Sequence, residues 1–174
     1  MTYRESYKLI LADYQRYTRC TGGRGNIIGI LNKMRNNRGF AFSVWLRIAA
    51  VKGFLWPMAR FIHYALSTKY RITIQPHTKI AGGLYLPNCW NIVINPRCEI
   101  GQNVTIHEFV NIGSNNGEAS RLGKNVEIYS RVCIVGAVNI REGSIVKYGS
   151  VVTKDIEPYA IVEGCPAKEI DNTY

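Results

Sequence analysis

A chain of 174 residues that is 47% hydrophobic is long enough for one domain with a sizeable core. Its net charge of +10 is unevenly placed: residues 1–71 hold 13 Lys/Arg against 2 acids (Glu5, Asp13), and residues 72–174 hold 9 against 10. Basic residues concentrated in an apolar stretch, without stacking aromatics interleaved in a groove, argue against nucleic acid. They fit an anionic surface such as lipid headgroups, with a solvated basic face as the plain alternative.

The start, MTYRESYKLI, has early charges and no apolar core, so it does not read as a signal peptide. Five cysteines (Cys20, Cys89, Cys98, Cys133, Cys165) form no C-x-x-C pair and are odd in number, which predicts a reduced, cytoplasmic protein. Cys98 and Cys133 are expected to line the interior as small hydrophobes.

Tyr3, Tyr7, Ile10, Leu11, Tyr14 and Tyr17 fall on one stripe of an amphipathic helix that Gly22 and Gly23 would stop. TGGRGN lacks the preceding strand and following Lys-Ser/Thr of a phosphate loop and reads as a plain loop. A second helix fits Asn26–Arg35. Phe40 to Leu66 is the most apolar stretch, but Arg47, Lys52, Gly53, Pro57 and Arg60 interrupt it, so no membrane span is expected. Two helices broken near Gly53–Pro57 fit better, capping the open end of the domain that follows or lying on a membrane surface. Residues 1–71 are therefore read as a basic helical region and 72–174 as a second domain with a C-terminal extension.

From Ile74 onward an aliphatic residue recurs every six positions: Ile74, Ile80, Leu86, then Ile94, Ile100, Ile106, Ile112, then Leu122, Ile128, Ile134, Ile140, Val146 and Val152. Small or β-branched residues stand two positions earlier, from Val104 and Val110 to Ser144 and Ser150. This period belongs to a parallel β-helix in which three hexads close one coil and one aliphatic per hexad points inward. The ladder slips twice, between Leu86 and Ile94 and between Ile112 and Leu122, where extra residues must bulge outward. Counting three hexads per coil stacks Pro87-Asn88, His107-Glu108, Tyr129-Ser130 and Lys147-Tyr148 on one edge, with rungs about 4.8 Å apart. Both bulges are expected to flank that edge and wall a groove. His107 is the one histidine there, His63 lying in the helical region and His77 on another edge. It is either a surface histidine or a general base, since imidazole titrates near neutrality. Zinc chemistry would need three histidines per metal where this domain has two, so no metal is expected.

These hexads, closing on VVTKDIEPYAIVEGCPAKEI, resemble the left-handed β-helix acyltransferases, a group that includes serine, galactoside and polysaccharide O-acetyltransferases. ITIQPHTKI, GGLYLP and IVIN look most like the serine acetyltransferase-related proteins of polysaccharide gene clusters. The resemblance implies a mainly β fold, a left-handed parallel β-helix after an N-terminal α-helical region, assembled as a homotrimer with the site between subunits. It implies acetyl-CoA as co-substrate and matches TIHEFVNIG to the family's catalytic segment, placing the general base at His107. Ser130, Tyr148, Thr153, Lys154 and Lys168 match positions that contact the cofactor, and Asn88, Glu108 and Asn115 would meet the acceptor. Serine acetyltransferases carry Asp-His where Pro87-Asn88 stands and Arg-His in the loop that here reads GSNNGEASR, where only Arg121 is close. The loss of a cation for the carboxylate disfavours serine. Asn88, Asn91, Asn115 and Asn116 instead suit sugar hydroxyls. The reading is an acetyl-CoA-dependent O-acetyltransferase acting on a sugar of a surface polysaccharide or its precursor, cytoplasmic and peripheral to the membrane. Serine O-acetyltransferase and a non-catalytic β-helix scaffold are the alternatives.

Overall fold

The computed structural model describes residues 1–18, 26–115 and 117–172. Among the described residues four helices come first: α1 (Tyr3–Thr18), α2 (Ile27–Asn36), α3 (Arg38–Ala49) and α4 (Trp56–Tyr70). Asn26 caps α2 by accepting from the Gly29 N–H at 2.7 Å, and Asn37 caps α3 by accepting from the Phe40 N–H at 3.0 Å. The break at Gly53–Pro57 falls between α3 and α4, with Pro57 in the first turn of α4, where its missing N–H costs nothing. Gly22 and Gly23 lie outside the described residues.

The rest winds as a triangular parallel β-helix. One face stacks Lys79–Ile80, Glu99–Ile100, Arg121–Leu122 and Asn139–Ile140. A second stacks Thr105–Ile106, Glu127–Ile128, Ile145–Val146 and Ala160–Gly164, and Ala167–Asn172 returns antiparallel on the last of these. A third stacks Val93–Ile94, Asn111–Ile112, Cys133–Ile134 and Val151–Val152. Every aliphatic of the ladder, from Ile74 to Val152, is buried in one continuous core. Each such side chain contributes about 1.5–3 kcal/mol relative to exposure. Gly after the aliphatic has a steric cause on the first face, where a Cβ on Gly101 would lie 2.6 Å from the Gly123 carbonyl carbon. At the corner between the second and third faces the chain turns through left-handed backbone at Asn91, Phe109, Arg131 and Gly149, with φ of 48–65°.

The helices close the first coil as a cap. Phe42, Leu46 and Tyr70 join the core of the β-helix, and Leu66 packs against it. The buried side of α1 is Ser6, Ile10, Asp13 and Tyr17, while Tyr3 and Tyr7 are exposed, so the packed face is rotated from the aromatic stripe. The reason is electrostatic. Asp13, fully buried, meets Arg47 of α3 at 3.2 Å and accepts from the Gly83 and Leu84 N–H groups at 2.8 and 2.9 Å. Arg47 in turn donates to the Ile80 and Ala81 carbonyls. A buried pair satisfied on all sides fixes how the cap docks. Cys98 lies in the core as expected; Cys133 departs from expectation, pointing outward half-buried on the third face beside Asn111 and Val151.

No helix among the described residues is long and apolar enough to cross a membrane.

Candidate active site

The corner between the second and third faces carries the column deduced from the hexads. Tyr85 bridges Thr105, and Ile106, Ile128, Val146 and Val162 align in register, which stacks the residues just after them. The His107 ring lies parallel to Tyr129 with centroids 5.0 Å apart, and Tyr129 meets Tyr148 at 4.6 Å. Lys147 Nζ stands 5.4 Å from the Tyr129 ring centre. Beside this aromatic stack runs a polar one. Ser130 Oγ donates to Glu108 Oε1 at 2.7 Å, tying two rungs together. Burial works to raise the Glu108 carboxyl, but the Ser130 and backbone hydrogen bonds, the nearby Asn88 amide and the His107 charge together hold it below its ordinary value. Glu108 Oε2 is covered, and the Asn88 amide stands close to the same carboxylate.

His107 is mostly covered, its side chain 18% exposed, and Nε2 lies 3.5 Å from Glu127 Oε1 with no nearer partner. Glu127 stands on the outer side of the second face, directly above Thr105. Tyr129 donates its hydroxyl to the same carboxylate; burial, the Glu127 charge, Tyr148 and that hydrogen bond all raise the phenol, so it stays neutral. The His107 imidazole is thus held between an aromatic plate and a carboxylate. The sequence signal for Glu127 is the outward residue before each inward aliphatic, a column parallel to that of His107.

Asn88, His107, Glu108, Ser130 and Tyr148 share this corner, and Lys168 lies at its upper end opposite Glu163. The remaining matched residues do not come here within one chain. Asn115 belongs to the hairpin Ser114–Asn115/Glu118–Ala119, and that bulge rises from the next corner, between the third and first faces, where Asn95 reaches Ser114 at 2.8 Å and Arg97 the Gly117 carbonyl at 2.6 Å. Thr153 and Lys154 follow Val152 at that same corner. Only the first bulge, Pro87–Asn91, flanks His107. The expectation that both do is corrected by the faces themselves, since Leu86 ends the second and Ile112 the third.

At the lower end of the column, Asn36, Asn37 and Arg38 meet Pro87, Asn88, Cys89 and Trp90 around a surface concavity. Arg38 is a cation the sequence alone did not bring to this place. Arg121, which it did suggest, lies on the first face 3.6 Å from Glu99. Cys89 is buried, and loss of hydration pushes its thiol up to about 12, against a smaller opposing effect of Arg38. It is a core residue here, not an activated nucleophile.

Several solved structures superpose on nearly the whole chain. A Neisseria gonorrhoeae serine acetyltransferase in complex with serine covers 97% of this chain and 70% of its own, at TM-score 0.76 and 24% identity. Soybean serine acetyltransferase complexed with serine gives 96%, 70%, 0.78 and 24%. The fold is that of the serine acetyltransferases, a left-handed β-helix of hexapeptide repeats behind N-terminal helices. In sequence, serine acetyltransferase of Buchnera aphidicola is 32% identical over 127 residues, 67% of this chain and 49% of that protein. That of Bacillus subtilis is 27% identical over 117 residues, 65% and 54%. The chain spans about half the length of these curated relatives. No protein-family model matches it.

Proposed function

We propose that the chain is an acetyl-CoA-dependent O-acetyltransferase, with His107 as general base and L-serine as the acceptor favoured by its relatives. The observation that carries this reading is the His107–Glu127 contact inside the Asn88-to-Tyr148 column, on the fold of serine acetyltransferases. With Nε2–H facing Glu127, Nδ1 takes the proton of the acceptor hydroxyl. The oxygen then attacks the thioester carbonyl, the C–S bond breaks, and the proton passes from the imidazolium to the departing thiolate. Glu127 favours the imidazolium while it lasts. Ser130, Tyr148 and Lys168 lie up the corner from the base, the side proposed for CoA.

The acceptor assignment reverses the preference drawn from sequence. That preference rested on a missing cation, and Arg38 supplies one beside Asn88 for a carboxylate. The Glu108 carboxylate, held below its ordinary value, supplies an anion for an ammonium. A sugar hydroxyl is the second reading, because the Asn36, Asn37 and Asn88 amides border the same concavity; none of the relatives described above is a polysaccharide enzyme. Free-thiol release from acetyl-CoA over a panel of L-serine, monosaccharides and nucleotide sugars decides. Release with serine alone supports the first reading, release with sugars alone the second, and release with none refutes the activity.

Two further parts belong to the proposal. A homotrimer would bring the Asn115 and Thr153-Lys154 corner of one subunit against the His107 corner of the next, which one chain cannot do. The basic helical region would lie on anionic lipid, supported by exposed Phe54, Leu55, Trp56, Met58 and Phe61 around the turn into α4, with Arg60 over the Trp56 ring.

A further inference from the structure

A cavity of about 600 Å³ opens where α4 crosses the start of the third face, one coil below His107 and around the corner from it. Its lining mixes polar and apolar surface, with Tyr64, Ile72 and Val93 among the apolar residues, and is one-sided in charge. Arg60 and Arg71 contribute guanidiniums, Ser67, Thr68 and Thr73 hydroxyls, Gln75 and Asn91 amides, and no acid lines it. Arg71 ends α4 in left-handed backbone at φ 55°, and its guanidinium meets no carboxylate among the described residues. Two buried polar atoms on the same wall lack partners: His63 Nε2, in a residue only 7% exposed, and Ser67 Oγ, one helical turn further on. Buried polar atoms without partners are rare in folded proteins and mark places where something else supplies the hydrogen bond. Burial, with the nearby Arg60, lowers His63 to about 4, so its imidazole is neutral and suits a hydroxyl, not an anion. Apart from Asn91, which ends the bulge beside His107, none of these groups takes part in the His107 column.

We propose that this cavity is a second small-molecule site, which binds a phosphorylated sugar or similar polyol phosphate. Arg60 and Arg71 clamp the phosphate, while His63 Nε2 and Ser67 Oγ hydrogen-bond a ligand hydroxyl. Paired guanidiniums match a phosphate dianion in charge and fork geometry. The volume falls in the usual range for small-ligand sites, about 300–1,000 Å³. The binding claim goes beyond the acetyl-transfer reading and stands apart from it.

The test is calorimetric titration of the full chain with glucose 1-phosphate, inorganic phosphate, D-glycerate and glucose. Arg60→Gln and Arg71→Gln, both at exposed positions, are the variants, and Ser67→Ala probes the hydroxyl contact. Glucose 1-phosphate is expected to bind more tightly than inorganic phosphate or glycerate, and glucose not measurably. Each arginine variant should weaken it by at least about tenfold, the size of a lost charge-assisted hydrogen bond. Tighter binding of glycerate would replace the phosphate by a carboxylate source and overturn the phosphate assignment. Equal binding of inorganic phosphate would overturn the polyol part. No binding by wild type, or undiminished binding by the double arginine variant, would overturn the site.

Discussion

Glu127→Gln removes one charge from the His107 contact while keeping its shape. Two unit charges 3.5 Å apart interact by about 1.2 kcal/mol at the dielectric of water and about 4.7 kcal/mol at an effective value of 20. The Glu127 side chain is 35% exposed and the His107 side chain 18%, which places the pair in the lower part of that range, at about 1.2–3 kcal/mol. Because the base gains positive charge as it takes the proton, that difference should appear in kcat, as a loss of about eight- to 160-fold, with the KM for acetyl-CoA little changed. Steady-state kinetics of Glu127→Gln, Glu127→Asp and both in a His107→Ala background would measure it. The aspartate should recover part of the rate, and neither change should matter once His107 is gone. A Gln variant within twofold of wild-type kcat, or an equal loss on top of His107→Ala, would refute a role through the histidine.

Cys89→Ala should remain active, and the native thiol should resist alkylation until the chain unfolds, because burial raises it to about 12; an acetyl-thioester trapped on Cys89 would contradict this. Sedimentation at micromolar concentration should give a mass near three copies of the 19.7 kDa chain, and a single-chain mass would remove the intersubunit site. Binding to anionic vesicles should weaken sharply as salt rises past the level where the Debye length is about 8 Å, while neutral vesicles should bind weakly. Equal binding to both kinds of vesicle, or to neither, would refute the lipid contact.

The β-helix was legible because its period is enforced at every rung. A hexad that put a charge at Ile106 or Ile128 would bury it in a column with no partner, so the aliphatic ladder could not drift. The same count gave the His107–Tyr129–Tyr148 stack, since vertical neighbours follow from period alone. The corner of the Ile112–Leu122 bulge follows from the same count, because Ile112 ends the third face and Leu86 the second. The buried side of α1 was not legible: Ser6 and Asp13 look like solvent positions until Arg47, 34 residues further along, arrives to pair with Asp13. Arg38 and Pro87–Trp90 were equally hidden, because their meeting depends on how the helical cap seats on the first coil. Local pattern carries a repeat well and a docking surface poorly.

The central claim is that His107 is the base. His107→Ala should lower kcat by at least about a hundredfold while leaving CoA affinity nearly unchanged, since a positioned imidazole typically contributes about 10²–10⁴-fold. Near-normal turnover by a folded His107→Ala enzyme, with the acceptor identified by thiol release, would contradict the account.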